Sequence, residues 1–497
     1  MTHQARICLV TFGLLLHIAG SQAQETEEEH SRLHQLIPEK RHVILGATIN
    51  DGFTPLWQTA NQYGLTGIKG SGADLQVGIF RDSHRDSLRQ WRIGYGLDVI
   101  GGFENEGFEF LPHQIYIDIA YRRLQLTVGS KEQGVALKDA ELSTGSQTLG
   151  TNAAPAPAIR LEMPDYWQIH PIIGIKGHLS YGWMTDGRWQ RDYVISGTRY
   201  ATHVRLHTKS LYLRLGGNGN PFPLSLEAGL ETACLFGGNI HHPVGIDDNL
   251  IQMPGGFKDY FKALYGGGKD ITDGDYPNAQ GNTVGSWLLS LNYQNSDNWK
   301  FRTYYDHFFE DHSQAFFQYG WRDGLIGFEL SLQKNKLVSR IVYEYMRTTH
   351  QSGPIYHDHT TDIPIQISAG DNYYNHNLYQ GWQHWGMSMG NALFTSPLYD
   401  DDGNLEFKGN RLTAHHLGVH GDPIPGLHYR MLYTHIRNLG SYNIPYPLPK
   451  HNDSFLLEAS YAPPRLAGYE MTASVAFDRG NLIGNNNGIT LAFTKHF

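Results

Sequence analysis

GITLAFTKHF, residues Gly488 to Phe497, decides the fold. Side chains alternate between the two faces of a strand, so Ile489, Leu491, Phe493 and Phe497 share one face. Thr490, Ala492, Thr494 and His496 share the other. Lys495 falls on the apolar face close to its end, where a long stem reaches water. The same two-residue alternation runs upstream. Trp91, Ile93, Tyr95, Leu97 and Val99 oppose Arg92, Gly94, Gly96 and Asp98. Ile173, Ile175, Leu179, Tyr181 and Trp183 oppose Lys176, His178 and Ser180. Ile326, Phe328, Leu330 and Leu332 oppose Asp323, Glu329 and Ser331, with Leu325 out of pattern. Tyr469, Met471, Ala473, Val475 and Phe477 oppose Glu470, Thr472, Ser474 and Asp478. Helical periodicity is almost absent, which excludes helical and βαβ architectures.

Two-sided strands suit a soluble sandwich, with one face packed and one wet, or a membrane barrel, with lipid outside and a polar lumen inside. Strand length, strand number and an exported N-terminus favour the barrel. About 18 strands fit the chain at about 26 residues each with its connection. The expected fold class is therefore all-β: an antiparallel transmembrane outer-membrane β-barrel of about 18 strands, with a few short plugging helices. The last strand is similar to the C-terminal insertion signal of bacterial outer-membrane barrels. That likeness implies the barrel-insertion machinery as a partner through Phe497, and outer-membrane lipid around the wall.

At the other end, Arg6 precedes an apolar stretch from Ile7 to Ala19, with small residues at Ser21 and Ala23. This reads as a cleaved signal peptide over 1–23, too short to span as an anchor. Cys8 lies inside it. Residues 24–42, with Glu25, Glu27, Glu28 and Glu29, read as a periplasmic tail, and 43–497 as the barrel. Removing 1–23 leaves 38 Lys and Arg against 48 Asp and Glu, a net charge of −10. That balance argues against nucleic acid as a partner. Cys234 is then the only cysteine, so no intrachain disulfide forms. Mean hydropathy is −0.41, no bar to a barrel in which every second residue faces lipid. Aromatics at 12%, with 29 Tyr and 10 Trp, suit interfacial girdles or a carbohydrate-binding surface equally.

Two helices are expected. Thr54-Pro55 before Leu56 is a start signal, with Thr as cap and Pro at the first position and Gly64 as the stop. Phe257, Tyr260, Phe261, Leu264 and Tyr265 follow helical spacing between Pro254 and Gly266–Gly268. That second helix lies in a long insertion near 238–283. It is expected to cap or plug the barrel, or else to lie outside the loop layer. Another insertion is expected near 350–370.

Candidate chemistry is sparse. His357-Asp358-His359 places two histidines on one strand face but has no evident third and fourth ligands. His241-His242 and His415-His416 are adjacent pairs whose side chains diverge on a strand. Asp273-Gly274-Asp275 and Asp400–Asn404 lack the closing residues of a calcium loop and read as turns. No metal site and no cofactor are expected, and no G-x-S-x-G elbow or other serine motif marks an enzyme. Asp98, Glu227, Glu231 and Glu344 are expected to face Arg92, Arg214, Arg302 and Arg340 in a lumen charge network.

The densest polar-aromatic run is DNYYNHNLYQGWQHW, Asp371 to Trp385. Aromatic faces stack on sugar rings while amides and imidazoles bond their hydroxyls, so Tyr373, Tyr374, His376, Trp382 and Trp385 are candidate polysaccharide-binding residues. An interfacial girdle at a strand end has the same composition. Within this run, YYNHNLYQGW (Tyr373 to Trp382) resembles a motif of the Wzi-type capsule assembly proteins. LWQTANQYG (Leu56 to Gly64), LHTKSLYLRLG (Leu206 to Gly216), FPLSLEAGLE (Phe222 to Glu231) and TAHHLGVHG (Thr413 to Gly421) follow in the same sense, from about residue 43 to the end. The resemblance implies a plugged outer-membrane lectin that retains and assembles capsular polysaccharide at the cell surface. From the barrel alone, the competing expectation is a porin or diffusion channel for small solutes.

Overall fold

The computed structural model describes residues 38–86, 89–104, 107–217, 223–243, 247–268, 280–295, 299–310, 322–354, 368–370 and 372–497. The segment 1–23 and most of 24–42 lie outside these residues, as do His357-Asp358-His359, Asp273-Gly274-Asp275 and most of 350–370.

From Lys40 onward the described residues form, beside three small two- and three-stranded sheets in the connections, one large sheet of 18 strands. They are β1 (Lys40–Asp51), β2 (Gly72–Arg81), β3 (Trp91–Glu104), β4 (Gly107–Tyr121), β5 (Leu124–Ser130) and β6 (Ala158–His170). Next come β7 (Ile173–Trp183), β8 (Arg205–Gly216), β9 (Leu224–Phe236), β10 (Asn282–Asn295), β11 (Trp299–Glu310) and β12 (Gly324–Leu332). The last six are β13 (Arg340–Arg347), β14 (Leu412–Ile424), β15 (Leu427–Gly440), β16 (Pro445–Tyr461), β17 (Tyr469–Gly480) and β18 (Asn486–His496). Each pairs antiparallel with its successor, and β18 closes on β1 with His496 opposite His42 and Ile489 opposite Ile49. Closure leaves no sheet edge, the condition for a sheet to cross a bilayer. The wall starts at Lys40, inside the expected tail.

The alternation points as read. Leu45, Ile49, Trp91, Ile117, Leu211, Leu491 and Phe493 are exposed on the outside, while Asp98, Asp118, Glu344 and Thr434 are buried within. Connections at the end holding Lys40 and Phe497 are short: 122–123, 171–172, 425–426. Those at the other end include 131–157, 184–204, 237–281 and 348–411. Short turns mark the periplasmic end of such barrels. Aromatics ring that end. Trp91 packs on Tyr121 (4.6 Å) and Tyr293 on Trp299 (5.2 Å), and the Lys495 ammonium sits 3.8 Å above Tyr469. Lys495 thus leaves its apolar face by reaching into the girdle.

The helices differ from expectation. α1 (Leu56–Thr59) is one turn inside the bore, with Pro55 rather than Thr54 at its N-cap. The Thr54 hydroxyl is otherwise engaged, donating to the Gly67 carbonyl at 2.8 Å. α2 (Gly187–Tyr193) lies in the 184–204 loop. α3 (Phe257–Tyr265) forms where predicted but does not plug the bore. Its Ala263 packs on Cys234 and Phe236. These alternate with Ala233 and Leu235, which join the interior core, so α3 lies against the outer wall. There it shelters His207, and the Lys209 ammonium donates to the Leu264 carbonyl. Phe257 and Tyr265 remain exposed.

Candidate functional site: the obstructed lumen

Two extracellular-end segments, 131–157 and 372–411, fold into the bore and fill most of it. Both are mostly irregular chain, with one short helical turn at Pro397–Tyr399, and α1 packs beside them inside the bore. Irregular backbone inside a barrel must satisfy its polar groups, and the wall supplies buried carboxylates for this. Glu344 accepts from the Ser143 hydroxyl (2.7 Å), the Thr144 N–H (2.8 Å) and the Tyr304 hydroxyl (2.6 Å). Asp306 accepts from the Gln147 N–H and side-chain amide, both at 3.2 Å, and pairs with the Lys138 ammonium. Glu231 accepts from Ser146 (3.0 Å) and from the Tyr212 hydroxyl. At the periplasmic side Asp139 pairs with Arg340. Burial works to raise the Asp139 carboxyl. The hydrogen bond and charge of Arg340 outweigh it and, with the Leu142 and Glu141 N–H groups, hold it below the usual range.

Of the carboxylates expected to face arginines in the lumen, Glu231 and Glu344 hold an inner segment instead, while Glu227 stands opposite Arg214 on the wall as expected. Asp98 accepts from Gln76 at 2.7 Å, and the Arg92 guanidinium donates to the Arg122 carbonyl. Arg302 and Arg340 join a wall network through Glu329, at 3.3 and 3.5 Å.

The lumen is not uniformly polar. Val284, Leu288, Phe308, Leu325 and Val342 face inward and are buried. They receive the second inner segment: Phe308 packs edge-on against Tyr373 (4.8 Å) and Tyr374 (5.4 Å). Doublets betray this in the sequence. Phe308-Phe309, Leu288-Leu289 and Leu325-Ile326 each put an apolar side chain on both faces, which a wet lumen has no use for.

The candidate sugar-binding residues sit inside this packing. Tyr373, Tyr374 and Trp382 are 1%, 0% and 1% exposed. The Tyr374 hydroxyl donates to the Gln147 carbonyl and accepts from the Asn391 N–H (2.9 Å), and Trp382 Nε1 donates to the Thr148 carbonyl (2.9 Å). Nδ1 of His376 accepts from the Leu378 N–H at 3.1 Å. Burial, with the charge of Arg199, pushes its imidazole down to about 3. Trp385 is half-buried, 5.9 Å from Trp189. Tyr374 and Trp385 hold left-handed backbone (φ 67° and 55°), which non-glycine residues keep only where packing over-determines them. Tyr374 and Trp382 thus join the two inner segments, Tyr373 packs on Phe308 of the wall, His376 turns back on its own segment and Trp385 meets α2, with no ring face of Tyr373, Tyr374 or Trp382 open to a sugar.

Among the other histidine pairs, His415 and His416 diverge: His415 bonds the Tyr343 hydroxyl on the outer face (2.8 Å) and His416 the Leu142 carbonyl within (2.7 Å). His241 stacks on Tyr200. The Asp400–Asn404 turn is held by lysines, with Lys408 on Asp402 (2.5 Å) and Lys69 on Asp401.

What remains open is a cavity of 410 Å³ between the inner segments and the lumen faces of β5 to β9. A hydroxyl strip lines it, in which Ser180 bonds Thr208 (2.7 Å) and His178 bonds both Thr208 (2.9 Å) and Ser210 (2.7 Å). Its charges are mostly paired: Lys131 with Asp118 at 2.6 Å and Arg160 with Glu162 at 2.7 Å. Lys176 stands 4.8 Å from the Tyr166 ring and 5.1 Å from the Tyr212 ring. It has no carboxylate within 4.0 Å among the described residues. The cavity presents hydroxyls, an ammonium with no direct ion pair, aromatic rings and apolar side chains to a solute.

No protein-family model matches the chain, and no curated protein does. Solved structures do. OccAB2 of Acinetobacter baumannii is 10% identical, covering 92% of this chain and 97% of that one, with a TM-score of 0.47. OccK5 (OpdH) of Pseudomonas aeruginosa is 10% identical over 92% and 97%, also with a TM-score of 0.47. OprD of Pseudomonas aeruginosa is 11% identical over 93% and 97%, with a TM-score of 0.43. No family model and none of these structures supports the resemblance to Wzi-type capsule assembly proteins, which is thereby corrected. The expectation of a polysaccharide-retaining lectin falls with it. The motif that carried the resemblance, Tyr373 to Trp382, is a packing motif here. The chain is a closed 18-stranded antiparallel barrel of the bacterial outer membrane.

Proposed function

We propose that this protein is a non-catalytic diffusion channel that passes small polar solutes across the outer membrane beside its two inner segments. The observation that carries the reading is the cavity of 410 Å³ against β5 to β9, with its strip of hydroxyls among apolar side chains. Barrels of 16 to 18 strands are wide enough for an aqueous path unless loops fill it, and here the loops narrow the bore and leave one side open, lined by hydroxyls and apolar side chains. The ammonium of Lys176, with no carboxylate in direct contact, offers a solute's anionic group a partner inside a narrow low-dielectric passage. The outward apolar band contacts outer-membrane lipid, and the strand ending in Phe497 addresses the barrel to its insertion machinery. Deleting Phe497 is expected to lower the folded outer-membrane fraction in cells several-fold without changing the fold of protein refolded in detergent.

The test is single-channel recording of the full protein in a planar bilayer, with liposome swelling in small neutral and anionic solutes. Small ohmic steps and faster swelling in anionic solutes are expected. A silent bilayer together with unswollen liposomes sinks the channel reading.

A further inference from the structure

We propose that Glu141, His420 and His428 form a binding site for a first-row divalent metal ion of the zinc type, tying the first inner segment to the periplasmic mouth of the barrel. The three residues come from separate parts of the fold. His420 ends the lumen face of β14, His428 begins that of β15 across the turn at 425–426, and Glu141 is carried down the bore by the 131–157 segment. One ligand atom from each lies within 4.8 Å of the other two. The imidazole rings are 5.2 Å apart.

Two details distinguish this cluster from a chance meeting of polar groups. First, both rings are oriented from behind. Asp422 accepts from Nδ1 of His428 at 2.9 Å, and Nδ1 of His420 is bonded to the Ser339 hydroxyl at 3.0 Å. A carboxylate or hydroxyl behind the ring fixes the tautomer and leaves the other nitrogen as a ligand, the usual outer shell of a histidine-bound metal. Second, Nε2 of His428 is buried with no hydrogen-bond partner, yet it faces the Glu141 carboxylate oxygen at 3.4 Å. With the proton on Nδ1, two lone pairs oppose each other there, a contact that a cation between them turns from repulsive to attractive. Two ligands each about 2.0–2.1 Å from a tetrahedral zinc ion stand about 3.4 Å apart. The nearest guanidinium groups have closer carboxylate partners, Glu458 at 2.7 Å for Arg430 and Asp139 for Arg340. Two histidines and one carboxylate leave a position for water, and the cluster borders a cavity of 660 Å³ from which an ion can enter.

The experiment is titration of the full detergent-solubilised protein with zinc chloride by calorimetry, repeated for Glu141→Gln, His428→Gln and Asp422→Asn. One ion per chain is expected, with affinity lost in the first two variants and reduced about 10–100-fold in Asp422→Asn, which touches no metal. Cobalt substitution should give the intense visible bands of four-coordinate cobalt. Heat-modifiability on gels checks that each variant is a folded barrel. If a ligand variant misfolds, Asp422→Asn alone carries the test. The proposal is overturned if wild type binds no stoichiometric zinc, in which case His428 only links Asp422 and Glu141 as a polar contact. It is equally overturned if the folded variants bind zinc as wild type does, which places the ion on other histidines.

Discussion

Lys138→Met is the most informative single change in the lumen. The Lys138 and Asp306 side chains are 1% and 0% exposed, and the ammonium also donates to the Gly145 carbonyl at 3.0 Å. Methionine keeps the stem and its packing but strands the Asp306 carboxylate. Breaking one side of a buried pair costs about 3–5 kcal/mol. Asp306 retains its two bonds from Gln147, which places the loss near the lower end, about 3 kcal/mol. Because Lys138 and Gln147 belong to the same inner segment, the loss falls on the seating of that segment rather than on the strand ladder. About 3 kcal/mol raises the unseated population roughly a hundredfold. In a planar bilayer this should appear as frequent transitions to a larger conductance. Hydrogen exchange should show faster opening across 138–148, with the strands unchanged. The partner test is the double variant Lys138→Met with Asp306→Asn, which removes both charges and should recover much of the loss. If Lys138→Met records and exchanges like wild type, or if the double variant is worse than the single, the pair does not hold the segment and the reasoning fails.

Lys176→Gln should lower anion over cation permeability by a few-fold, read as a shift in reversal potential under a salt gradient, with the current steps little changed. Trp382→Ala removes the Nε1 bond to Thr148 and a fully buried ring. A cost of about 3–5 kcal/mol is expected, seen as noisy conductance and early loss of near-ultraviolet dichroism while the barrel still resists unfolding in SDS. The pH dependence follows from His376, which is held neutral with its imidazole down at about 3. A released segment titrates near 6.5, so the contribution is complete above that value and is lost as pH falls below it. At pH 5 the second inner segment should open more easily by about 2 kcal/mol. Exchange over 372–382 at pH 7.5 and pH 5 measures this, and His376→Gln should flatten the difference.

Much of the wall was legible because a strand's faces are set locally. Ile489, Leu491 and Phe493 point outward for a reason contained in ten residues. The barrel, its strand number and its polar-within, apolar-without sense follow from repeating that pattern. Helical spacing likewise located α3. It did not reveal which surface the helix covers, since that depends on Cys234 and Phe236 facing outward above the level where Leu211 is bare.

The lumen was far less legible. Polar residues on alternating positions suggested a charge network spanning the bore. What they do is hold 131–157 and 372–411, through pairs such as Ser143 with Glu344, some 200 residues apart in sequence. Tyr373, Tyr374 and Trp382 have the composition of a sugar platform, and only their burial shows them to be packing inside the bore, with Tyr374 and Trp382 joining the two inner segments. Glu141 and His428 meet for the same reason, through a loop folded back into the barrel. Periodicity records which way a side chain points. The partner it meets depends on closing long loops inside a cylinder, and no local pattern encodes that.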